Sequence, residues 1–290
     1  MSGAPKAGIA VRPAGDAEVA AILAIWAANG DGIPEGGVDL LTPYLTHLMS
    51  TGRVLVAAAD DHDDELVGFG AVVERAGVTH LADLFVLPDR FGQGIGGRLL
   101  DSLFAEAAGR TTFASSDPRA LPLYVRSGMT PCWPNLYLEI DSTCLRPPSS
   151  RFVCERAGPD TMAELEERWL GAAHFEDHQF WAALPEARPF VVVEAGRSVA
   201  AVHARIRRTG SNRWINRVAL APRVDPSAVL VAAYRHAAEG GRIGSCLPGP
   251  SPALRPLLES GVRIIDQDMF MASDPSVFDA TRRISDGGIL

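Results

Sequence analysis

No stretch of this sequence stays apolar for the ~18 residues that a bilayer-crossing helix needs. Runs such as Val54-Leu55-Val56-Ala57-Ala58-Ala59 stop at the length of a strand. The opening residues, Met1-Ser2-Gly3-Ala4-Pro5-Lys6, have no apolar core of the kind a signal peptide carries. A cytoplasmic protein with no membrane partner is therefore expected. Positive charge is also scarce: 27 Lys and Arg against 35 Asp and Glu give a formal net charge of −8. Without clustered cations there is nothing to neutralise phosphates, which argues against a nucleic-acid partner. Cysteine is the third scarcity. Cys132, Cys144, Cys154 and Cys246 are far apart and none sits in a CxxC spacing, so neither a disulfide framework nor a thiolate metal site is expected. What remains is ordinary globular material, 47% hydrophobic and 21% charged over 290 residues, enough for two domains.

The chain repeats itself. Ile9–Pro13, then Gly15-Asp16 and an apolar-periodic stretch to Asn29, read as strand and helix. Arg151–Arg156, then Gly158-Pro159-Asp160 and Met162–Leu170, read the same way. Paired strands with a polar turn follow in each half: Val54–Ala59 with Glu65–Val73, and Phe190–Glu194 with Ser198–Arg205. Leu81–Pro88 answers Trp214–Pro222, each a strand closed by proline that leads into a helix, Gly97–Ala108 or Pro226–Ala238. Leu121–Gly128 with Leu136–Ile140 answers Ala253–Gly261 with Asp268–Ala272. The pattern predicts an α+β fold of two tandem domains, 1–145 and 151–290, joined through Asp141–Ser150.

The most chemical segment runs from Pro88-Asp89-Arg90-Phe91 through Gly92-Gln93-Gly94-Ile95-Gly96-Gly97. Glycines that open a helix let backbone N–H groups converge on one point without interference from a Cβ, and a helix N-terminus favours an anion there. Gly92, Gly94 and Gly97 also satisfy GxGxxG, with Asp117 at the distance a dinucleotide fingerprint asks. The context is wrong for that reading, because four residues separate strand from glycine and hairpin strands precede.

The loop and its surroundings resemble the GNAT superfamily of N-acetyltransferases. Val86-Leu87-Pro88 with Gly94 and Gly96 match the family's V-x-P strand end and glycine turn. Asp117-Pro118-Arg119-Ala120-Leu121-Pro122-Leu123-Tyr124-Val125-Arg126-Ser127-Gly128-Met129 matches its downstream N-x-x-A-x-x-[LF]-Y-x-x-x-G-[FM] motif. The resemblance covers residues 9–140 in element order. It departs at Phe91, where the family has Gln or Arg, and at Asp117, where it has Asn. It implies mostly antiparallel, splayed sheets flanked by helices, and an acetyl-CoA or other acyl-CoA co-substrate with no metal. The pyrophosphate is expected on the amides of Gly92, Gln93, Gly94, Ile95, Gly96 and Gly97, and the pantetheine arm along the backbone of Leu84, Phe85 and Val86. Asp117 and Tyr124 complete the expected cofactor contacts.

The resemblance makes Tyr124 the general acid for the leaving thiolate, with a backbone N–H near Val86 at the developing oxyanion. Two residues compete for the base: His80, six before Val86, and Asp83, three before it. A carboxylate in an apolar strand needs a partner, which favours Asp83 facing the cleft. The segment 29–37, continuing to Tyr44 and His47, suits a lid over the acceptor, with Asp31 and Glu35 available to an amine.

The second half lacks these features. Arg223-Val224-Asp225-Pro226-Ser227-Ala228 replaces the glycine turn and Leu257 takes the place of Tyr124. A degenerate copy is expected, in which His174–Trp181 forms an amphipathic helix rather than a metal site. The function expected is N-acylation of a small-molecule amine by a monomer or homodimer. A non-catalytic acyl-CoA-binding module and a protein N-acetyltransferase are the alternatives.

Overall fold

A computed structural model describes residues 8–29, 38–59, 65–146, 151–206, 213–285 and 287–289. The chain forms two compact units, Met1–Thr111 with Arg126–Gly128, and Thr112–Val125 with Met129–Leu290. Both are the mixed, mostly antiparallel sheets flanked by helices that the repeat predicts.

In the first unit β1 (Ile9–Pro13), β2 (Gly52–Ala59), β3 (Leu66–Arg75) and β4 (Val78–Val86) pair in sequence order, all antiparallel. Ala76 and Gly77, both at positive φ, make the tight turn that joins β3 to β4. Helices α1 (Val19–Ala28) and α2 (Val38–Thr51) lie between β1 and β2 in sequence, and α3 (Ile95–Leu103) follows β4. Gly68 and Gly70 explain how α3 comes so close to the sheet. A Cβ at Gly70 would lie 2.7 Å from Leu103 Cδ1, and one at Gly68 would lie 3.4 Å from Ile95 Cγ2.

Strand β5 (Gly109–Ala114) runs from the first unit into the second, followed by α4 (Ala120–Arg126) and β6 (Thr130–Asp141). The second unit continues with β7 (Phe152–Arg156), α5 (Pro159–Leu170), α6 (Phe175–Ala183), β8 (Ala187–Glu194), β9 (Arg197–Ile206) and β10 (Arg213–Leu220). Then come α7 (Pro226–Ala238), β11 (Arg242–Pro248), α8 (Leu254–Glu259), β12 (Arg263–Ala272) and β13 (Arg283–Ser285). β6 ends the first repeat in the sequence, yet it lies between β11 and β12, antiparallel to both. Leu136, Leu138 and Ile140 of β6 are part of the second unit's core with Ile243, Leu247 and Tyr234. The compact units therefore divide ahead of β6 and not at 141–150, of which 147–150 lie outside the described residues.

Helix starts shift from the pattern for local reasons. α3 begins at Ile95, not Gly97, because Gly94 in the left-handed region already forms its cap. α5 begins at Pro159, not Met162, since proline is pre-set for a first helical turn. The polar aromatic segment after His174 is α6.

Candidate active site

β4 is irregular at one point. Leu81 pairs with Val72 and Asp83 with Ala71, so Ala82 is an extra, bulged residue. A bulge re-aims the side chains around it. Leu84 and Val86 pack beside Ile95 and Leu99. Phe85 points the other way, stacking on Trp26 of α1 at 5.4 Å and on Phe69 at 5.6 Å between centroids. Asp83 shares that face, where Tyr44 of α2 donates its O–H to Asp83 Oδ2 at 2.9 Å. Tyr44 in turn meets the edge of Trp26 at 6.1 Å. The result is a carboxyl set in an aromatic wall whose rings Trp26, Tyr44 and Phe85 are each half-buried. Burial pushes Asp83 up to about 7, against which the Tyr44 hydrogen bond pulls downward. A carboxyl at that value exchanges a proton near neutrality. Trp26 and Tyr44 carried no motif in the sequence; only the order of elements puts α1 and α2 over β4.

His80 has a different setting. It is fully buried, and its Nδ1 lies 3.0 Å from Thr111 Oγ1. The structure thus brings Asp83, and not His80, to the half-open aromatic face.

Downstream of β4, Pro88–Arg90 makes a single 3-10 turn before the glycines. Gly92 and Gly94 stand at φ of +77° and +80°, which a side chain would strain. No side chain caps α3, and its first backbone bond runs from Arg98 N–H to Gly94 O at 3.1 Å. The N–H groups of Ile95, Gly96 and Gly97 therefore lack helical acceptors. A Cβ at Gly92, Gly94 or Gly97 would meet nothing within 4 Å, so the turn borders open space. Such a cradle fits a pyrophosphate. Gln93 and Phe91 at its rim are exposed, while Arg90 turns to Glu65 at 3.4 Å.

The second motif resolves into a helix with defined ends. Asp117 Oδ1 accepts from Arg119 N–H at 2.8 Å, and its carboxylate pairs with the Arg119 guanidinium at 2.5 Å. That side-chain bond holds the carboxyl below its usual range and engages it locally. At the other end Met129 N–H donates to Tyr124 O at 3.2 Å, with Gly128 at φ +85°. This is a Schellman stop, which accounts for glycine four residues after the tyrosine. Tyr124 itself is 8% exposed on α4, in the second unit. His47 is buried on α2. Residues 30–37, including Asp31 and Glu35, lie outside the described residues.

The second half differs chemically at each matching position. Asp225 caps α7 by accepting from the amides of Ser227 and Ala228 at 3.0 and 3.4 Å, and Pro226 has no N–H to offer. Leu257 is buried apolar packing on α8. Among the described residues no cluster of His, Cys, Asp and Glu is placed to hold a metal, and no helix is long and apolar enough to cross a membrane.

Residues 50–129 match the model of the acetyltransferase (GNAT) domain. No curated protein sequence matches the chain. Among solved structures, a Pyrococcus horikoshii protein classed provisionally as an acetyltransferase superposes with a TM-score of 0.70 at 16% identity, covering 100% of this chain and 97% of that one. A GCN5-related N-acetyltransferase from Sphaerobacter thermophilus gives 0.60 at 16% identity, covering 97% and 98%. A tandem GNAT protein of the clavulanic acid biosynthesis pathway gives 0.62 at 13% identity, covering 92% and 99%. At such identities the likeness is one of fold. Residues 50–129 of this chain thus match the GNAT acetyltransferase domain, and the chain as a whole is similar in fold to a tandem GNAT protein.

Proposed function

We propose that the chain transfers an acyl group, most simply acetyl, from acyl-CoA to the primary amine of a small molecule. The observation that carries this reading is the Asp83–Tyr44 pair in its aromatic wall, on the strand that leads through the turn Pro88–Arg90 to glycines that open α3 without a side-chain cap. The amides of Gly92 to Gly97 would hold the pyrophosphate, and the backbone of Leu84, Phe85 and Val86 would hold the pantetheine arm. When bound, the thioester supplies an activated acyl carbon next to a good leaving group. Asp83, near 7, takes the proton from an incoming ammonium and leaves the free amine that attack requires. Trp26 and Phe85 offer ring faces to a cationic or aromatic amine. Tyr124, by its place in the motif, is the donor to the departing thiolate, and a main-chain N–H near Val86 is assigned to the oxyanion. Asp117 is given no cofactor contact, because Arg119 already engages it. A net charge of −8 suits a cationic acceptor.

The test is thiol release from acetyl-CoA by the purified full chain across a panel of small amines and of peptides with a free N-terminus or lysine. Release with small amines, abolished by Asp83→Asn, supports the proposal. Release only with peptides moves the assignment to protein acylation. Tight acetyl-CoA binding without release for any amine would leave a binding module.

A further inference from the structure

The two halves can be aligned on their bulges. In β10, Ile215 pairs with Ala204 and Arg217 with His203, so Asn216 is the extra residue, as Ala82 is in β4. Counting from there, Arg217 answers Asp83, and Val218, Ala219 and Leu220 answer Leu84, Phe85 and Val86. Pro222 then answers Pro88, which checks the alignment. Strand β11 runs parallel to β10 only as far as the pair Ile215–Ser245, while its Cys246, Leu247 and Pro248 go on along β6. A gap therefore opens beside Arg217–Leu220, in the position assigned to the pantetheine arm in the first half.

That gap is filled by the chain's own C-terminus. β13 is antiparallel to β10, with Arg217 opposite Ser285, Val218 opposite Ile284 and Ala219 opposite Arg283. Leu220 N–H extends the ladder to Arg282 O at 2.9 Å. Side chains anchor the tail on both sides. Arg283 reaches Glu166 at 3.3 Å, beside the Glu166–Arg217 pair. Arg282 donates to Trp169 O at 2.7 Å. Ile284, Phe278 and Ile289 are buried, Phe278 against Phe270 and Trp133. Among the described residues, nothing in the first repeat corresponds to this segment.

We propose that the C-terminal segment is a tethered ligand of the second half's donor slot: its short strand, Arg283–Ser285, took the place of pantetheine when the pyrophosphate cradle was lost to Asp225 and Pro226. The second half is then a strand-binding groove specific for an Arg-Ile-Ser segment, and the chain has one donor site. Only the location of the donor slot rests on the function proposed above; the strand pairing stands without it.

The experiment keeps the full chain. A site-specific protease sequence placed at the exposed residues 273–276 is cut after folding, and a fluorescent peptide spanning 274–290 is added in excess. The expected result is that the nicked tail co-elutes with the body and exchanges with the labelled peptide. A peptide carrying Arg283→Glu, which puts a second carboxylate beside Glu166, exchanges at least about tenfold more weakly. Calorimetry of the uncut chain with acetyl-CoA should give one site. Loss of the tail on cutting, equal exchange of both peptides, or two acetyl-CoA sites in the uncut chain would each overturn the proposal. Strand exchange is read without acyl-CoA, so a chain that exchanges the peptide but binds no acetyl-CoA would refute the proposed function and leave the tethered strand intact.

Discussion

Tyr44 and Asp83 lie 39 residues apart in sequence and share a hydrogen bond of 2.9 Å, with the phenol donating to a carboxyl that is almost shut off from water. Two opposing effects meet at Asp83. Burial raises its proton affinity and the phenol lowers it, and burial wins, leaving the group at about 7.

The rate should therefore depend on pH in a specific way. If Asp83 is the base, kcat/KM rises with pH through about 7. Asp83→Asn removes that limb and costs on the order of 10²–10⁴ in rate, the usual worth of a positioned base. Tyr44→Phe deletes the downward pull, so its inflection moves to higher pH while the limb survives. A pH–rate series on the three proteins decides this, and an unmoved inflection in Tyr44→Phe would count against the pair. Stability has its own sign. The folded-state value lies above the usual 3.8, so the contribution is complete below 3.8 and is lost as pH rises through 7. Asp83→Asn should therefore raise the melting temperature at alkaline pH while it lowers activity.

Gly97 offers a test in which stability and binding move in opposite directions. It occupies the first turn of α3, and a Cβ there meets nothing within 4 Å. Gly97→Ala should stabilise the helix by up to ~1 kcal/mol, since glycine loses more backbone freedom on folding. If its amide faces a pyrophosphate, the added methyl stands in the cradle and acetyl-CoA binding weakens. Thermal unfolding and calorimetry on the same sample read both signs. A variant that is more stable and binds acetyl-CoA unchanged would remove Gly97 from the site.

Tyr124→Phe isolates the proposed acid. The ring is buried, and the phenyl keeps its packing on α4. The expected outcome is a lower kcat with KM for both substrates nearly constant, because the donor acts on the leaving thiolate and not on binding. A thioester with a more acidic thiol should recover much of the loss. If kcat is unchanged with the natural donor, the proton comes from elsewhere.

Some of this was legible in the sequence because it is local. Val86-Leu87-Pro88 and the alternating glycines dictate a strand end and a helix start within a dozen residues, and Gly128 dictates the stop of α4. The repeat was legible because hydrophobic periods recur in the same order. What periodicity does not encode is pairing at a distance. β6 reads as an ordinary closing strand, yet its partners Pro248 and Arg263–Ala272 are more than a hundred residues downstream. β13 is three residues long and carries two polar side chains, too short to show a period. Tyr44 reads only as part of a lid segment and Trp26 carries no signal, until the fold sets Tyr44 on Asp83 and Trp26 on Phe85. Arg217, in a strand reading as apolar, is the counterpart of Asp83, and periodicity shows neither the bulge at Asn216 nor the Glu166 that pairs with Arg217.

That counterpart leads to the last prediction. Arg217 Nε donates to Glu166 Oε2 at 2.8 Å, Arg283 joins at 3.3 Å, and His178 Nε2 stands 3.4 Å from the same carboxylate. His178 Nδ1 and His203 Nε2 are 2.9 Å apart, so one ring must donate to the other. Burial holds His203 down at about 3, and the neighbouring His178 and Arg217 act in the same direction. The unfolded chain takes up this proton near 6.5 and the folded chain does not until about 3. Stability from His203 is then complete above 6.5 and is lost as pH falls through that window. Glu166, held well below its usual 4.5 by the arginines although burial opposes them, adds acid sensitivity of the same sign at lower pH. Melting temperature should decline from neutral pH toward about pH 5, and His203→Phe, if it packs, should flatten that slope. Glu166→Gln removes the carboxylate that two buried guanidinium groups share and should cost about 3–5 kcal/mol at every pH above 6.5. A His203→Phe protein that keeps the full acid slope would place the titrating group outside this cluster.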